Sequence, residues 1–248
     1  MDNRIVELIE KEQDNKELAL LFISGTGSKK EIFRGIANSI EIWNWFLMDL
    51  PMHGTDTNPG DSFEDYVNSV KEIAIKLKNE GYKKILVIGH SLGGAVALSV
   101  ARLGKKVVDG AYALCGSAKF DSLGDEFLEG LKRGEILLDR VRPGVGLIAS
   151  LTNEYNEIVL ESESVFLKDF NIDIIVDFED KLKEIEVPIE YIVGENDELI
   201  LPEMVTTMER EIKYFEKTIF SSLGHMFPFA EKKEVAGLIE SFIVRHLK

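Results

Sequence analysis

The chain has 248 residues, 45% of them apolar, and 44 acidic against 29 basic side chains give it a net charge of −15. A chain of this length buries roughly 70–75% of the surface its unfolded form exposes, enough for one large core, and this composition excludes a disordered or fibrous protein. Affinity for nucleic acid comes from Lys and Arg neutralising phosphates, and no basic run exceeds Lys29-Lys30 or Lys132-Arg133, so nucleic acid is excluded as a partner.

Asp2, Glu7, Glu10, Glu12, Asp14 and Glu17 crowd the first twenty residues, which no secretory-signal core would contain. The apolar run Leu18–Ile23 is far shorter than the roughly 18 residues of a membrane helix, so the expectation is a soluble cytoplasmic protein without a membrane span. That run reads as the first strand. Further short apolar runs at Trp43–Leu50, Ile85–Ile88, Gly110–Leu114, Ile189–Val193 and Thr218–Phe220 read the same way. Strands that are continuously apolar are those covered on both faces, which predicts a mainly parallel central sheet with helices on each side, an α/β fold. Between strands, Phe63, Tyr66, Val70, Ile73 and Leu77 recur at helical spacing; Asp61 or Ser62 can cap that helix and Gly81 stops it. A second helix spans Leu92–Leu103, and Val235, Leu238, Ile239, Phe242 and Ile243 mark a third over Ala230–Leu247.

Ala118 to Lys183 breaks this alternation with no clear strand, several short helical patterns and a break at Arg142-Pro143-Gly144. It carries 15 acidic and eight basic side chains, a net −7. We expect residues 118–183 to form a helical cap inserted into a core built from 1–117 and 184–248, with a solvated outer surface. The single cysteine, Cys115, excludes an intramolecular disulfide and a Cys-rich zinc site, and its apolar neighbours Ala111 to Leu114 predict a buried structural thiol.

Chemistry is concentrated at three places. Gly89-His90-Ser91-Leu92-Gly93-Gly94 follows a strand and opens a helix rich in small residues, so Ser91 can sit on a tight strained turn with its oxygen outward. The helix start adds positive potential, and the Leu92 backbone N–H becomes an oxyanion donor. A serine hydroxyl at its ordinary pKa is a poor nucleophile and needs a base. Of the four histidines, His90 adjoins Ser91 and would point away from it, His246 lies near the C-terminus, and His53 follows Pro51 in a loop. His225, in a loop between the last strand and the last helix, sits at a strand's carboxyl end, where α/β sites form. Its imidazole needs a carboxylate to hold the tautomer. Asp197, after the strand Ile189–Val193 and flanked by Glu195 and Glu198, is the expected acid; Asp121, beyond the preceding strand, is the alternative.

With these residues in place the chain resembles the α/β-hydrolase family from Leu18 to Lys248. Ser91, Asp197 and His225 follow its serine, acid, histidine order at separations of 106 and 28 residues, which suit an inserted cap. Asp49-Leu50-Pro51-Met52-His53-Gly54-Thr55 resembles its Asp-x-Pro-Gly-His-Gly-x-Ser segment with Met52 in place of glycine, and Val193-Gly194-Glu195-Asn196-Asp197 with Pro202 resembles its acid loop. Where the family has His-Gly, Ser24-Gly25-Thr26-Gly27 stands here, and by position the resemblance assigns the second oxyanion N–H to Thr26.

The resemblance implies a serine hydrolase of the carboxylesterase kind, cleaving a small to medium ester through an acyl-enzyme, with no metal or organic cofactor. A serine at the elbow argues against dehalogenase and epoxide-hydrolase chemistry. Thioesterase, amidase or carbon–carbon hydrolase activity on the same residues, or a receptor, lyase or acyltransferase role, are the alternatives. Phe120, Phe127, Leu131, Phe166, Phe170 and other apolar residues of the insertion are expected to line an acyl pocket or pack inside the cap.

Overall fold

A computed structural model describes residues 6–9, 15–120, 133, 161–197 and 199–248. Its elements are, in chain order, β1 (Val6–Ile9), β2 (Leu18–Ile23), α1 (Arg34–Ser39), β3 (Asn44–Met48), α2 (Phe63–Asn79), β4 (Lys84–His90), α3 (Leu92–Ala101), β5 (Gly110–Leu114), α4 (Glu163–Asp173), β6 (Ile189–Gly194), α5 (Pro202–Glu211), β7 (Phe215–Phe220), α6 (Phe227–Ala230) and α7 (Lys232–His246). The strands form one sheet in the order β1-β3-β2-β4-β5-β6-β7, with β1 antiparallel to β3 and the rest parallel.

The central strands are buried apart from Lys84 at the start of β4, as their largely apolar sequences require, and helices pack on the sheet: α3 contacts β4 and β5, while α1 contacts α7. The expected α/β architecture is present. Helix α2 begins and ends where its sequence pattern does. Ser62 Oγ accepts from the Asp65 amide at 3.2 Å and Asp65 Oδ2 accepts from the Ser62 amide at 2.9 Å, a reciprocal cap that fixes the first turn. Two strand segments were not read from sequence, β1 and the first half of β7. Both lie at sheet edges, where one side faces water and charged residues such as Glu7, Glu216 and Lys217 interrupt the apolar run.

After β2 the chain pairs β3 on one side of it and then crosses to β4 on the other, so the order switches direction between β2 and β4. Crevices at the carboxyl ends of strands form at such switches. Ile23 pairs with Gly89, which places the loop after Ile23 beside the turn after β4. In the same way Gly194 pairs with Phe220, bringing the loops after β6 and β7 together.

Candidate active site

Ser91 is the residue between β4 and α3, with φ 53° and ψ −121°, a conformation in which side chains are strained. Its amide donates to the Leu114 carbonyl at 2.9 Å and its carbonyl accepts from the Ala95 amide at 3.1 Å, so the turn is held by β5 on one side and by its own helix on the other. The turn closes only because Gly89 lacks a side chain: a Cβ there would lie 1.9 Å from the Gly93 carbonyl oxygen. Ser91 is thus fixed at the helix start, with Leu92 as the first helical residue.

Asp197 lies in the loop after β6. Its Oδ1 accepts from the amides of Leu199 and Ile200, both at 2.9 Å, and both carboxylate oxygens lie 3.0 Å from His225 Nδ1. Burial would push its carboxyl up, but His225 and the two amides outweigh this and hold it below the usual carboxylate range, so it stays ionised. The loops carrying the pair are joined by the Asn196 amide donating to the Leu223 carbonyl at 2.9 Å and by the Ser222 amide donating to Glu195 Oε2 at 2.9 Å. Glu195, expected as a flanking surface charge, therefore helps to set the histidine loop.

His225 and Ser91 line one cavity of about 50 Å³, together with Gly25, Thr26, Ser28, His90, Phe120, Phe166, Phe170, Asp173, Leu199 and Met226. The structure thus brings Ser91, Asp197, His225 and Thr26 to one place, and Leu92 follows Ser91 directly. Asp121, the alternative acid, lies outside the described residues, as do Glu198 and the cap positions Phe127 and Leu131. Phe120, Phe166 and Phe170 do face the cavity.

The other histidines have structural partners. The His90 ring lies 4.8 Å from that of His225, with Nε2 3.0 Å from the His225 carbonyl oxygen; burial foremost, with the His225 ring adding to it, lowers its pKa to about 3. His90 is therefore a neutral prop beneath the His225 loop. His246 pairs with Glu216 at 2.9 Å. His90, Cys115 and His225 each present one ligand atom within 4.8 Å of one another, the only such group among the described residues able to hold a metal; the two histidines each already spend a ring nitrogen on protein partners.

Sequence reasoning missed two carboxylates on α4. Asp169 Oδ2 accepts from the Gly27 amide at 2.7 Å and pairs with His53 Nε2 at 2.8 Å, and Asp169 Oδ1 accepts from the Tyr66 hydroxyl at 2.7 Å. One turn on, Asp173 Oδ2 accepts from the Thr26 hydroxyl at 2.6 Å. Burial lowers the His53 pKa but Asp169 more than reverses this, leaving it raised. The Gly27 carbonyl accepts from the Glu161 amide at 2.8 Å, so α4 and the residues just before it grip the 24–28 loop at three points. The expectation that the charges of this segment face water fails at Asp169 and Asp173, which are buried against that loop. A signal existed: Phe166, Asp169, Phe170 and Asp173 share one helical face, so the acids stand on an apolar stripe.

Similarity to known proteins agrees with this architecture. A protein of Mycoplasma pneumoniae provisionally named esterase/lipase 2 is 32% identical over 85 residues; the match spans 32% of this chain and 31% of that curated relative's length. The structure of a lipase-esterase related protein from Clostridium acetobutylicum superposes with a TM-score of 0.87 at 26% identity, covering 96% of this chain and 100% of that one. A hydrolase from Oleispira antarctica shares the fold with a TM-score of 0.80 at 18% identity, covering 98% and 95%. The sequence model of the alpha/beta hydrolase family matches residues 20–238, nearly the whole sheet and the loops that carry Ser91, Asp197 and His225, and the chain belongs to that family.

Proposed function

We propose that the protein is a serine hydrolase that cleaves small to medium carboxylic esters through an acyl-enzyme. His225 takes the proton of Ser91 as its oxygen attacks the ester carbonyl. The amides of Leu92 and Thr26 hold the oxyanion, and His225 then protonates the leaving alcohol. Water, deprotonated by His225, releases the acid and restores Ser91, while Asp197 keeps the imidazole in the working tautomer and stabilises its charged form. Residues 118–183 act as the cap over the core formed by 1–117 and 184–248, and among its described residues Phe120 and α4 reach the cavity. No cofactor enters this reaction, and the expected partner is the small ester alone.

The observation that carries the reading is the Asp197 carboxylate bound to His225 Nδ1 at 3.0 Å, with His225 and Ser91 on one cavity wall. The aromatic lining and the likeness to a lipase-esterase related protein support an ester as substrate. A fluorophosphonate probe tests it. Native protein should label stoichiometrically and Ser91→Ala should not; absence of labelling, or equal labelling of both, refutes a Ser91 nucleophile. Turnover of p-nitrophenyl esters of rising chain length then sets the size of the acyl group.

A further inference from the structure

The cavity that holds Ser91 and His225 is walled by Phe120, Phe166, Phe170, Leu199 and Met226, yet one carboxyl stands among them. Asp173 is 4% exposed, and while its Oδ2 takes the Thr26 hydroxyl, its Oδ1 is buried with no hydrogen-bond partner. An orphaned buried carboxyl oxygen is expensive and survives where something supplies its missing bond. Tyr112 and Tyr191 also leave hydroxyls unpaired, but neither lines this cavity.

We propose that Asp173 is a specificity-determining residue whose carboxyl binds a hydroxyl group of the ester substrate. This rests on the hydrolase reading above. Burial, reinforced by nearby Asp169, pushes the Asp173 carboxyl well above its ordinary range, the Thr26 hydrogen bond opposing, and so favours its neutral form. A neutral carboxyl offers both a donor and an acceptor. If its proton lies on Oδ1, that oxygen donates; if it lies on Oδ2, toward Thr26, Oδ1 accepts. A hydroxyl satisfies either form, whereas a carboxylate on the substrate would be desolvated in a cavity whose described lining holds no Lys or Arg to pair with it. The substrate class is therefore a short hydroxylated ester, hydrolysed with water to a carboxylic acid and an alcohol, one of which carries the second hydroxyl.

The experiment compares ethyl butanoate with ethyl 2-, 3- and 4-hydroxybutanoate on the acyl arm and with 2-hydroxyethyl butanoate on the alcohol arm. At least one hydroxylated ester should show kcat/KM about tenfold or more above ethyl butanoate, the size of one net hydrogen bond. Asp173→Leu should erase that preference, read within each protein as the ratio of kcat/KM for the hydroxylated ester to that for ethyl butanoate, and Asp173→Asn, which keeps a donor and an acceptor, should retain most of it. Native protein showing no preference overturns the proposal whatever the variants do; so does a preference that Asp173→Leu leaves intact. Calorimetric binding of the same esters to Ser91→Ala separates the two readings. Selective binding without turnover by native protein would sink the hydrolase and keep the subsite, and turnover without selectivity would do the reverse.

Discussion

At the residue scale, Asp197 is a buried carboxylate held ionised by His225 and the amides of Leu199 and Ile200. Asp197→Asn keeps the shape and the acceptor oxygen but removes the charge and can turn the imidazole to the wrong tautomer. Its kcat on a p-nitrophenyl ester should fall by about 10²–10⁴ with an unchanged circular dichroism spectrum. Met52 makes a prediction about stability. It stands where the resembling family segment has glycine, and its φ is 71°, a left-handed conformation costing about 1–2 kcal/mol in a side-chain-bearing residue, against the roughly 0.5–1 kcal/mol of extra entropy glycine loses on folding. Met52 is also 39% exposed, so little packing is lost. Met52→Gly should hold or raise stability by up to about 1 kcal/mol in urea unfolding, whereas Met52→Ala, which keeps the strain, should gain nothing. Ser91, Asp197 and His225 were legible in the sequence because strand-to-helix turns and glycine-flanked loops fix them locally. Asp169 and Asp173 were not, because nothing local says which water-seeking groups a distant loop will cover.

At the element scale, α2 was readable to the residue because a capping pair and a helical apolar stripe agree, while the edge strands β1 and β7 were blurred by charges that only sheet position tolerates. Helix α4 shows how an element acts on a site without carrying the reacting groups. Asp169 receives the Gly27 amide, the Tyr66 hydroxyl and His53, and Gly27, at φ 61°, allows no side chain because a Cβ would lie 2.1 Å from Phe166. The loop that carries the Thr26 amide is thus held by α4 as well as by its own bonds, the Ser28 amide donating to the Gly25 carbonyl and the Ser24 hydroxyl to the Ser28 carbonyl. Asp169→Asn keeps one acceptor oxygen for the Gly27 amide but removes the charge that pairs with His53, and it turns an N–H₂ toward the Tyr66 hydroxyl, which must then accept instead of donate. If the Thr26 amide is an oxyanion donor, kcat should drop by about 10–10³, within the loss seen when such a donor is removed, while KM moves less than about threefold. A rise in KM with kcat unchanged would instead mean that α4 serves binding alone.

At the scale of the whole molecule the net charge of −15 conceals acids with opposite effects on folding. Asp197 is held below the ordinary aspartate value, so the stability it contributes is present above about pH 4 and is lost as pH falls through its lower folded value. His53 is raised, so its contribution is complete below about pH 6.5 and fades as pH rises through the folded value. Asp173 is also raised, by burial foremost. The folded state then holds a proton that the unfolded chain has released, and stability declines as pH climbs from about 4, with a limiting slope of about 1.4 kcal/mol per pH unit for one proton. Asparagine has no proton to lose. Asp173→Asn should therefore differ little from the native protein near about pH 4.5, and should be the more stable of the two by a margin that widens toward about pH 7.5. Paired urea titrations at those two pH values measure it, and the other shifted groups cancel because both proteins carry them. A margin that stayed constant with pH would mean Asp173 is ionised in the folded state, and the stability given up to keep a neutral carboxyl beside Ser91 would have to be ascribed to something else.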